Sequence, residues 1–372
     1  MRVVLSGGGT GGHIYPALAV ANECALEEPN SEFLYIGGQK GLENSIVPKA
    51  DIAFKSIEIT GFRRKLSFEN VKTVMRFLKG VQQSKKMLRE FKPDVVIGTG
   101  GYVCGPVVYA AAKLGIPSII HEQNAVPGLT NRFLSKYVDT VAVSFEESMS
   151  LFPGTKHVIY TGNPRATTVV SADKNKGYES LGVSRNRPIV LLVGGSQGAR
   201  AINEAMVQMA SELDKLPEIT FVYVTGNNYY EPTLKTIESK LGRLPDNLLI
   251  LPYVHNMPEV LAATSLIVNR AGASFLAEIT SLGIPSILIP SPNVTNNHQE
   301  KNARSLEKAG AAEVILEPEL SGQGLFEKIQ RIMKDTRLHG TMSSASRGLG
   351  KPDSAHLIVT EMKRLSSKQK QA

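Results

Sequence analysis

Two kinds of apolar run alternate along this 372-residue chain. The first kind is short and almost wholly apolar, as in Arg2 to Leu5, Phe33 to Ile36, Val95 to Ile97, Ser118 to Ile120 and Val141 to Val143. Runs of that length without polar alternation predict strands buried on both faces. The second kind spaces its apolar positions three to four residues apart, as Ile14, Leu18, Ala21 and Ala25 do, and predicts helices. Strand and helix in steady alternation specify a parallel sheet covered by helices.

The pattern restarts at Ile189 to Val193 and continues through Phe221 to Val224, Leu248 to Leu251, Leu266 to Val268 and Ser286 to Ile289. Two doubly wound units in tandem are therefore expected, which suits a chain longer than the roughly 250–300 residues at which single cores stop growing. The polar stretch Val169 to Asn186 reads as a linker region, and the tail from Ser366 to Ala372 as disordered. Ligands of open parallel sheets sit beyond the carboxyl ends of the strands. Two such units are expected to close a cleft between glycine-rich edges.

Glycine loops stand at those strand ends. Gly7, Gly9 and Gly12 match G-x-G-x-x-G between a strand and a helix, while Gly98 to Tyr102, Gly194 to Ala199 and Arg270 to Ser274 follow other strands. Glycine lets backbone N–H groups approach a phosphate, and a helix N-terminus adds a favourable field. Taken singly, such loops only make tight turns and helix starts. Four of them at strand ends point to a shared polyanionic ligand. A nicotinamide dinucleotide would need an acidic residue at the end of the second strand, where the chain has Gly37-Gly38. The chain has no Walker loop and no Asp-x-Asp motif for a divalent ion. Helix N-termini with Arg165 or Arg270 would supply the counter-charge of a diphosphate, so chemistry without metal or cofactor is expected.

Composition narrows the class. A hydrophobic share of 42% with a mean hydropathy of -0.08 fits a soluble globular protein. No apolar run reaches the roughly 18–20 residues of a membrane helix, and the opening Met-Arg-Val-Val-Leu-Ser-Gly is no signal peptide. Cys24 and Cys104 alone offer neither a disulfide framework nor a zinc site. The cytosol is the expected compartment. A net charge of +8 favours an anionic partner. Nucleic acid is not expected, because tryptophan, ribonucleoprotein-type aromatic motifs and zinc fingers are all missing.

The charge is concentrated over residues 63–92, where Arg63, Arg64, Lys65, Lys72, Arg76, Lys79, Lys85, Lys86, Arg89 and Lys92 face only Glu69 and Glu90. Residues 69–90 predict an amphipathic helix with Val71, Val74, Met75, Leu78 and Val81 on one face. It is either a surface helix on the sheet or a dock for an anionic membrane. In the second case the apolar face is expected to pack inward, leaving the basic residues with Phe68 or Phe77 to make the contact.

Together these blocks resemble the MurG family of N-acetylglucosaminyltransferases. The resemblance lies in Gly8-Gly-Thr-Gly-Gly-His13, Pro93 to Pro106, His121-Glu-Gln-Asn-Ala125 and Gly128-Leu-Thr-Asn131. It continues through Gly162-Asn-Pro164, Gly194 to Arg200, and Arg270-Ala-Gly-Ala-Ser274 with Glu278 and His298-Gln299. It implies an α/β fold of the GT-B type, with two Rossmann-like doubly wound domains flanking a cleft. Residues 1–163 with 349–372 would form an acceptor and membrane-side domain with a returning C-terminal helix, and residues 164–348 a donor domain. The implied donor is UDP-N-acetylglucosamine (UDP-GlcNAc). The acceptor is lipid I, a muramyl-pentapeptide on undecaprenyl diphosphate, and one displacement with inversion gives lipid II. The resemblance also implies a peripheral place on the cytoplasmic face of the cell membrane, with other cell-wall synthesis proteins as candidate partners.

Residue by residue, it implies that Thr10, Gly11 and Gly12 face the diphosphates and that His13 is the candidate general base, a role its imidazole suits near neutrality. The competing reading of His13 is a helix cap or a phosphate ligand. Asn124 would contact the donor sugar. Tyr102, His121 and Asn131 would lie on the acceptor side, with Glu122 a second catalytic candidate; alternatively His121 and Glu122 form a structural hydrogen-bonded pair. Ser196 and Gln197 would hold phosphate, Glu278 the ribose hydroxyls, Val254 the uracil through its backbone, and Gln299 the sugar hydroxyls. Arg165 follows Pro164 directly where the family often has one residue between them, His298-Gln299 replaces two glutamines, and Ala273-Ser274-Phe275 departs from the commoner Ala-Leu-Thr. The competing functions are a UDP-GlcNAc epimerase and a non-catalytic nucleotide-sugar-binding scaffold; the His121 to Asn131 block favours the transferase.

Overall fold

The computed structural model describes residues 1–61, 68–195 and 197–371. Arg63, Arg64, Lys65 and Ser196 lie outside the described residues, as do the side chains of Phe68, Glu69 and Val71. The chain forms two compact units, Met1–Thr167 with Lys351–Ala372, and Thr168–Gly350.

The first unit runs β1 (Arg2–Ser6), α1 (Gly11–Glu27), β2 (Glu32–Gly38), α2 (Glu43–Ile46), β3 (Ala53–Ile57), α3 (Phe68–Phe91) and β4 (Val95–Gly98). It continues with α4 (Cys104–Lys113), β5 (Ser118–Glu122), α5 (Leu129–Leu134), β6 (Thr140–Val143) and β7 (Val158–Tyr160), and α6 (Arg165–Val169) crosses its boundary. Over the described residues its strands form one parallel sheet in the order β3-β2-β1-β4-β5-β6-β7.

The second unit holds α7 (Lys174–Leu181), β8 (Ile189–Val193), α8 (Arg200–Met209), β9 (Thr220–Val224), α9 (Tyr230–Leu241), β10 (Leu248–Leu251), α10 (Met257–Ala263) and β11 (Thr264–Asn269). After these come α11 (Ala273–Leu282), β12 (Ser286–Leu288), α12 (His298–Lys308), β13 (Ala312–Val314), α13 (Gly322–Lys334) and α14 (Thr336–Leu349). Its described strands form a second parallel sheet in the order β10-β9-β8-β11-β12-β13. The final helix, α15 (Ser354–Gln371), belongs to the first unit. In each sheet the chain starts in the middle, winds to one edge, and returns past its first strand. The order therefore reverses between β1 and β4 and between β8 and β11, the positions where such sheets bind ligands.

Alternating side chains in β1 divide the first unit's core into two layers. Val4 joins Leu88 of α3 and Val107 and Val108 of α4, all fully buried. Val3 and Leu5 face the other way, onto Ile14, Ala17 and Val20 of α1 and Ile358, Val359 and Met362 of α15. That packing corrects the expectation for the tail. The helix runs on to Gln371, and upstream of the tail its Ile358, Val359, Met362 and Leu365 complete the layer over α1. Glu361 accepts from the Thr140 hydroxyl and from Arg364 Nε, the latter at 2.6 Å, which ties α15 to β6.

The linker expected over 169–186 holds α7. The Asp173 side chain accepts from the Asn175 N–H at 2.8 Å, and Gly182 ends the helix at a φ of 64°. A Cβ on Gly177 would lie 2.1 Å from the Glu259 carbonyl oxygen, so α7 and α10 pack backbone against backbone. The polar composition concealed this small-residue contact. Strands β3, β7 and β13 were not expected either. They are three to five residues long, and β3 alternates exposed and half-buried positions up to the buried Ile57, as an edge strand does.

Candidate functional site

The four glycine loops follow β1, β4, β8 and β11, so each pair flanks the switch point of its own sheet. In the first unit the two loops interlock. Gly8 N–H donates to the Gly100 carbonyl at 3.2 Å, and a Cβ on Gly101, whose φ is +82°, would lie 2.3 Å from the Gly8 oxygen. A Cβ on Gly7 would lie 2.3 Å from the Thr99 hydroxyl. That hydroxyl donates to the His13 carbonyl at 2.6 Å. These glycines are required by the approach of one loop to the other, before any ligand is considered.

His13 stands in the first turn of α1, with Nδ1 2.9 Å from the Gly8 carbonyl oxygen and 3.3 Å from the Thr10 hydroxyl. A carbonyl only accepts, so Nδ1 carries the hydrogen and the neutral ring keeps its lone pair on Nε2. A Cβ on Gly100 would lie 3.0 Å from Nε2, which places that ring edge against the second loop.

Sequence reading missed Glu43. At the head of α2 and only 2% exposed, it accepts from Gly38 N–H at 2.8 Å through Oε1 and from Gly9 N–H at 3.1 Å through Oε2. An acid therefore does stand beyond the end of β2, as a dinucleotide site requires, but it is turned onto the backbone. Its distance of five residues past Gly38 hid it; Gly37, Gly38 and Gly41 crowded before one acid were the available signal. The Gly9 amide is committed to this carboxylate, which leaves the loop's phosphate-facing reading to Thr10, Gly11 and Gly12.

At the end of β5, the side chains of His121 and Glu122 point to opposite faces and bond to different partners rather than to each other. His121 is fully buried; Nε2 donates to the Gly162 carbonyl at 2.9 Å and Nδ1 receives Gln123 Nε2 at 3.1 Å. Burial pushes its pKa down to about 4, so the ring is neutral at physiological pH. Glu122 is also buried, and its two oxygens accept from the N–H groups of Asn124 and Gly128 at 3.0 Å each and from Asn131 Nδ2 at 2.8 Å. Asn131 is buried with it. The side chains of His121, Glu122 and Asn131 are thus all met by protein groups, and Glu122 braces the 124–128 loop. That loop presents Asn124, half-buried, with Nδ2 3.4 Å from Glu122 Oε1.

Tyr102 is 44% exposed, and Gly9 and Gly61 lie under its ring. Arg165, which follows Pro164, sits with its guanidinium carbon 5.4 Å from the centre of the Tyr15 ring. Tyr15 in turn packs against Gly11, at 3.1 Å from a Cβ built there. The arginine is thus carried to the head of α1 despite its shifted spacing.

In the second unit a Cβ on Gly198 would lie 2.0 Å from the Thr225 oxygen and one on Gly226 2.6 Å from the Gln197 oxygen, so the loops after β8 and β9 touch directly. Gly195, at a φ of +96°, and Gly272 face open space. Gln197 is exposed. No side chain of Ala199 caps α8. Glu278 is buried on α11, contrary to a solvated helix-surface position. Gln299, in the first turn of α12, accepts from Ser291 N–H at 2.9 Å. Val254 is buried beside the exposed ring of Tyr253, which the sequence reading passed over. Arg270 is held by its own unit. Its guanidinium donates to the Ile289 and Pro290 carbonyls at 3.0 and 3.2 Å and pairs with Glu317 at 2.6 Å, so its charge is already met by protein.

Helix α3 also differs from expectation. Val81 and Leu88 are buried, but Val74, Met75 and Leu78 face solvent, Met75 at 66% exposure. Phe77 packs inward, with its ring 5.9 Å from Phe133 of α5. Leu129 of α5 is 74% exposed. Lys72, Lys79, Arg132 and Lys136 are exposed on these same segments, while Arg76 is paired with Glu58 at 3.2 Å. No described helix is long and apolar enough to cross a membrane.

Residues 3–143 match the glycosyltransferase family 28 N-terminal domain, and residues 189–358 match the C-terminal domain of the same family. The chain is 55% identical to the UDP-N-acetylglucosamine–N-acetylmuramyl-(pentapeptide) pyrophosphoryl-undecaprenol N-acetylglucosamine transferase of Bacillus cytotoxicus, over 99% of this chain and 100% of that one. Among solved structures, the crystal structure of Acinetobacter baumannii MurG matches with a TM-score of 0.78 and 29% identity, covering 98% of this chain and 99% of that one. A UDP-GlcNAc 2-epimerase from Neisseria meningitidis bound to UDP-GlcNAc shares the fold at 17% identity, with a TM-score of 0.70, covering 98% of this chain and 100% of that one.

Proposed function

This chain belongs to glycosyltransferase family 28, and from that premise we infer that it is the N-acetylglucosaminyltransferase that converts lipid I to lipid II with UDP-GlcNAc as donor. It is a transferase of the MurG type; the epimerases share its fold at much lower identity. The observation that carries the mechanism is the 2.9 Å contact of His13 Nδ1 with the Gly8 carbonyl oxygen, which draws the hydrogen to Nδ1 and leaves Nε2 to accept a proton.

The acceptor's 4-hydroxyl loses its proton to His13 Nε2 as its oxygen bonds to the anomeric carbon of the donor. The bond from that carbon to the diphosphate breaks, UDP leaves with the electron pair, and the configuration inverts. Negative charge growing on the leaving diphosphate is met by the N-terminus of α11 at the open Gly272 and by the loop that leads from the open Gly195 into α8, with no metal in the step. Glu278 takes the ribose, Gln299 the sugar hydroxyls and Val254 the uracil. Asn124 contacts the donor sugar, and Arg165 and Tyr102 serve the diphosphate and acceptor.

The exposed apolar residues of α3 and α5, rimmed by lysine and arginine, dock the protein on the anionic leaflet where a lipid-linked acceptor resides. Apolar side chains enter the interface and each basic residue adds about 1 kcal/mol near the surface.

Transfer of labelled N-acetylglucosamine from UDP to a lipid I analogue, with chelator present, tests the whole reading. Lipid II formation by the wild type, with a fall on the order of a hundredfold in kcat for folded His13→Ala, is expected. Epimerised donor, or free UDP without lipid II, would replace the transferase reading.

A further inference from the structure

We propose that Glu43 is a positioning residue for His13, acting through the peptide unit that joins Gly8 to Gly9. The proposal rests on the reading of His13 as the base. The Gly8 carbonyl and the Gly9 N–H are the two ends of one peptide group. Its oxygen lies 2.9 Å from His13 Nδ1, and its N–H donates to Glu43 Oε2 at 3.1 Å. Carboxylate, peptide and imidazole therefore form one continuous hydrogen-bonded chain.

A negative charge on the N–H side polarises the peptide in the direction that strengthens its carbonyl as an acceptor. Two consequences follow for the ring. The hydrogen is fixed on Nδ1, leaving Nε2 to take the proton, and the imidazolium formed during transfer finds a stronger acceptor behind it. Glu43 does this without touching the substrate, as the carboxylate behind a catalytic histidine does in hydrolytic triads, here with a peptide group interposed.

The surroundings hold the carboxylate in place. Gly38 N–H anchors Oε1 at 2.8 Å, and the side chain is almost fully buried, where charge is weakly screened. A Cβ on Gly8 would lie 2.3 Å from Oε1 and one on Gly41 2.1 Å from Oε2. These glycines leave room for an internal anion. Among the described residues, the Tyr35 phenol and the Cys104 thiol are titratable groups that feel Glu43, and both are raised by burial and hence neutral. Glu43 is accordingly the charge that acts on the Gly8–Gly9 peptide from within.

The test uses the full-length enzyme as wild type, E43Q, E43D, H13A and the double variant H13A/E43Q. The readouts are kcat against pH, KM for UDP-GlcNAc, and the ring 15N spectrum of His13. Neutral wild-type His13 is expected to carry its hydrogen on Nδ1. E43Q should lower kcat by about tenfold to a hundredfold, the usual effect of removing the group that orients a functional histidine. KM should change little, and the acidic limb of the kcat profile should move to lower pH because a charge favouring the imidazolium is gone. E43D should recover part of the loss, and E43Q should add no further loss in the H13A background. A hydrogen on Nε2 in the wild type, an unmoved limb in folded E43Q, or a full additional loss in the double variant would overturn the proposal. The wild-type spectrum decides even if E43Q does not fold. Retained kcat in H13A would instead sink the base reading, while the tautomer in E43Q still judges whether Glu43 sets the ring.

Discussion

Asn131 Nδ2 donates to Glu122 Oε2 at 2.8 Å inside the first unit, nine residues away along the chain. The same carboxylate receives the backbone N–H groups of Asn124 and Gly128, so one buried acceptor shapes the whole loop. Glutamine at 122 would turn an NH2 group toward some of these donors. Glu122→Gln is expected to cost about 1–3 kcal/mol, the price of unsatisfied buried donors, read as a lower urea midpoint at unchanged m-value. Unchanged stability with a collapse in kcat would restore Glu122 as a catalytic group.

His121 predicts a pH dependence of stability. Its folded-state pKa, held down to about 4 by burial, lies below the ordinary imidazole value of 6.5. Below that value the unfolded ring takes a proton that the folded ring refuses. Its contribution is therefore present above pH 6.5 and is lost as the pH falls from 6.5 toward 4, by roughly 3 kcal/mol at most. Urea unfolding between those limits should show a shallower slope for His121→Gln than for the wild type. Equal slopes would mean that this ring is not the one titrating.

Arg270 is expected to stabilise its own unit more than it binds substrate. Its guanidinium spans the Ile289 and Pro290 carbonyls and Glu317, a fork that lysine cannot reproduce. Arg270→Ala should lose about 1–3 kcal/mol, and Arg270→Lys a smaller amount, with UDP affinity by calorimetry little changed in the folded lysine variant. Wild-type stability with UDP affinity lost by Arg270→Lys would return the residue to the diphosphate.

The membrane reading makes a separable prediction for α3. Met75→Glu or Leu78→Glu replaces an exposed apolar side chain with a charge. Each is expected to reduce sedimentation with anionic vesicles by about tenfold or more, since burying such a side chain is worth about 1.5–3 kcal/mol. Soluble-donor binding should be unaffected. Wild-type binding should weaken with salt because Lys72 and Lys79 contribute through screened charge. Vesicle binding indifferent to both substitutions would remove this surface as the dock.

Much of the fold was legible because its signals are local. The run Val95 to Ile97 is a strand whatever lies elsewhere, and glycine at 7, 9 and 12 marks a loop before a helix through backbone freedom alone. Edge strands such as β7 escaped because three residues with partial exposure carry little pattern. Helix α7 escaped because its contact with α10 is made at Gly177, where packing needs the absence of a side chain. The candidate site was legible as residue types in order, but not as roles. Arg165 and Arg270 looked alike as counter-charges; one is carried to the Tyr15 ring and the other is spent on Glu317.

The sequence by itself determined two doubly wound units, the glycine loops at their strand ends and the family to which the blocks belong, because periodicity and backbone freedom are properties of neighbouring residues. Tertiary structure decided which groups are occupied. His121 and Glu122 adjoin in sequence yet face opposite sides of β5, α3 turns Val74, Met75 and Leu78 outward, and Glu43 reaches His13, thirty residues away along the chain, through the Gly8–Gly9 peptide group. Hydrogen-bond partners and exposed faces follow from which elements pack together, and that is settled by long-range contacts no local pattern encodes.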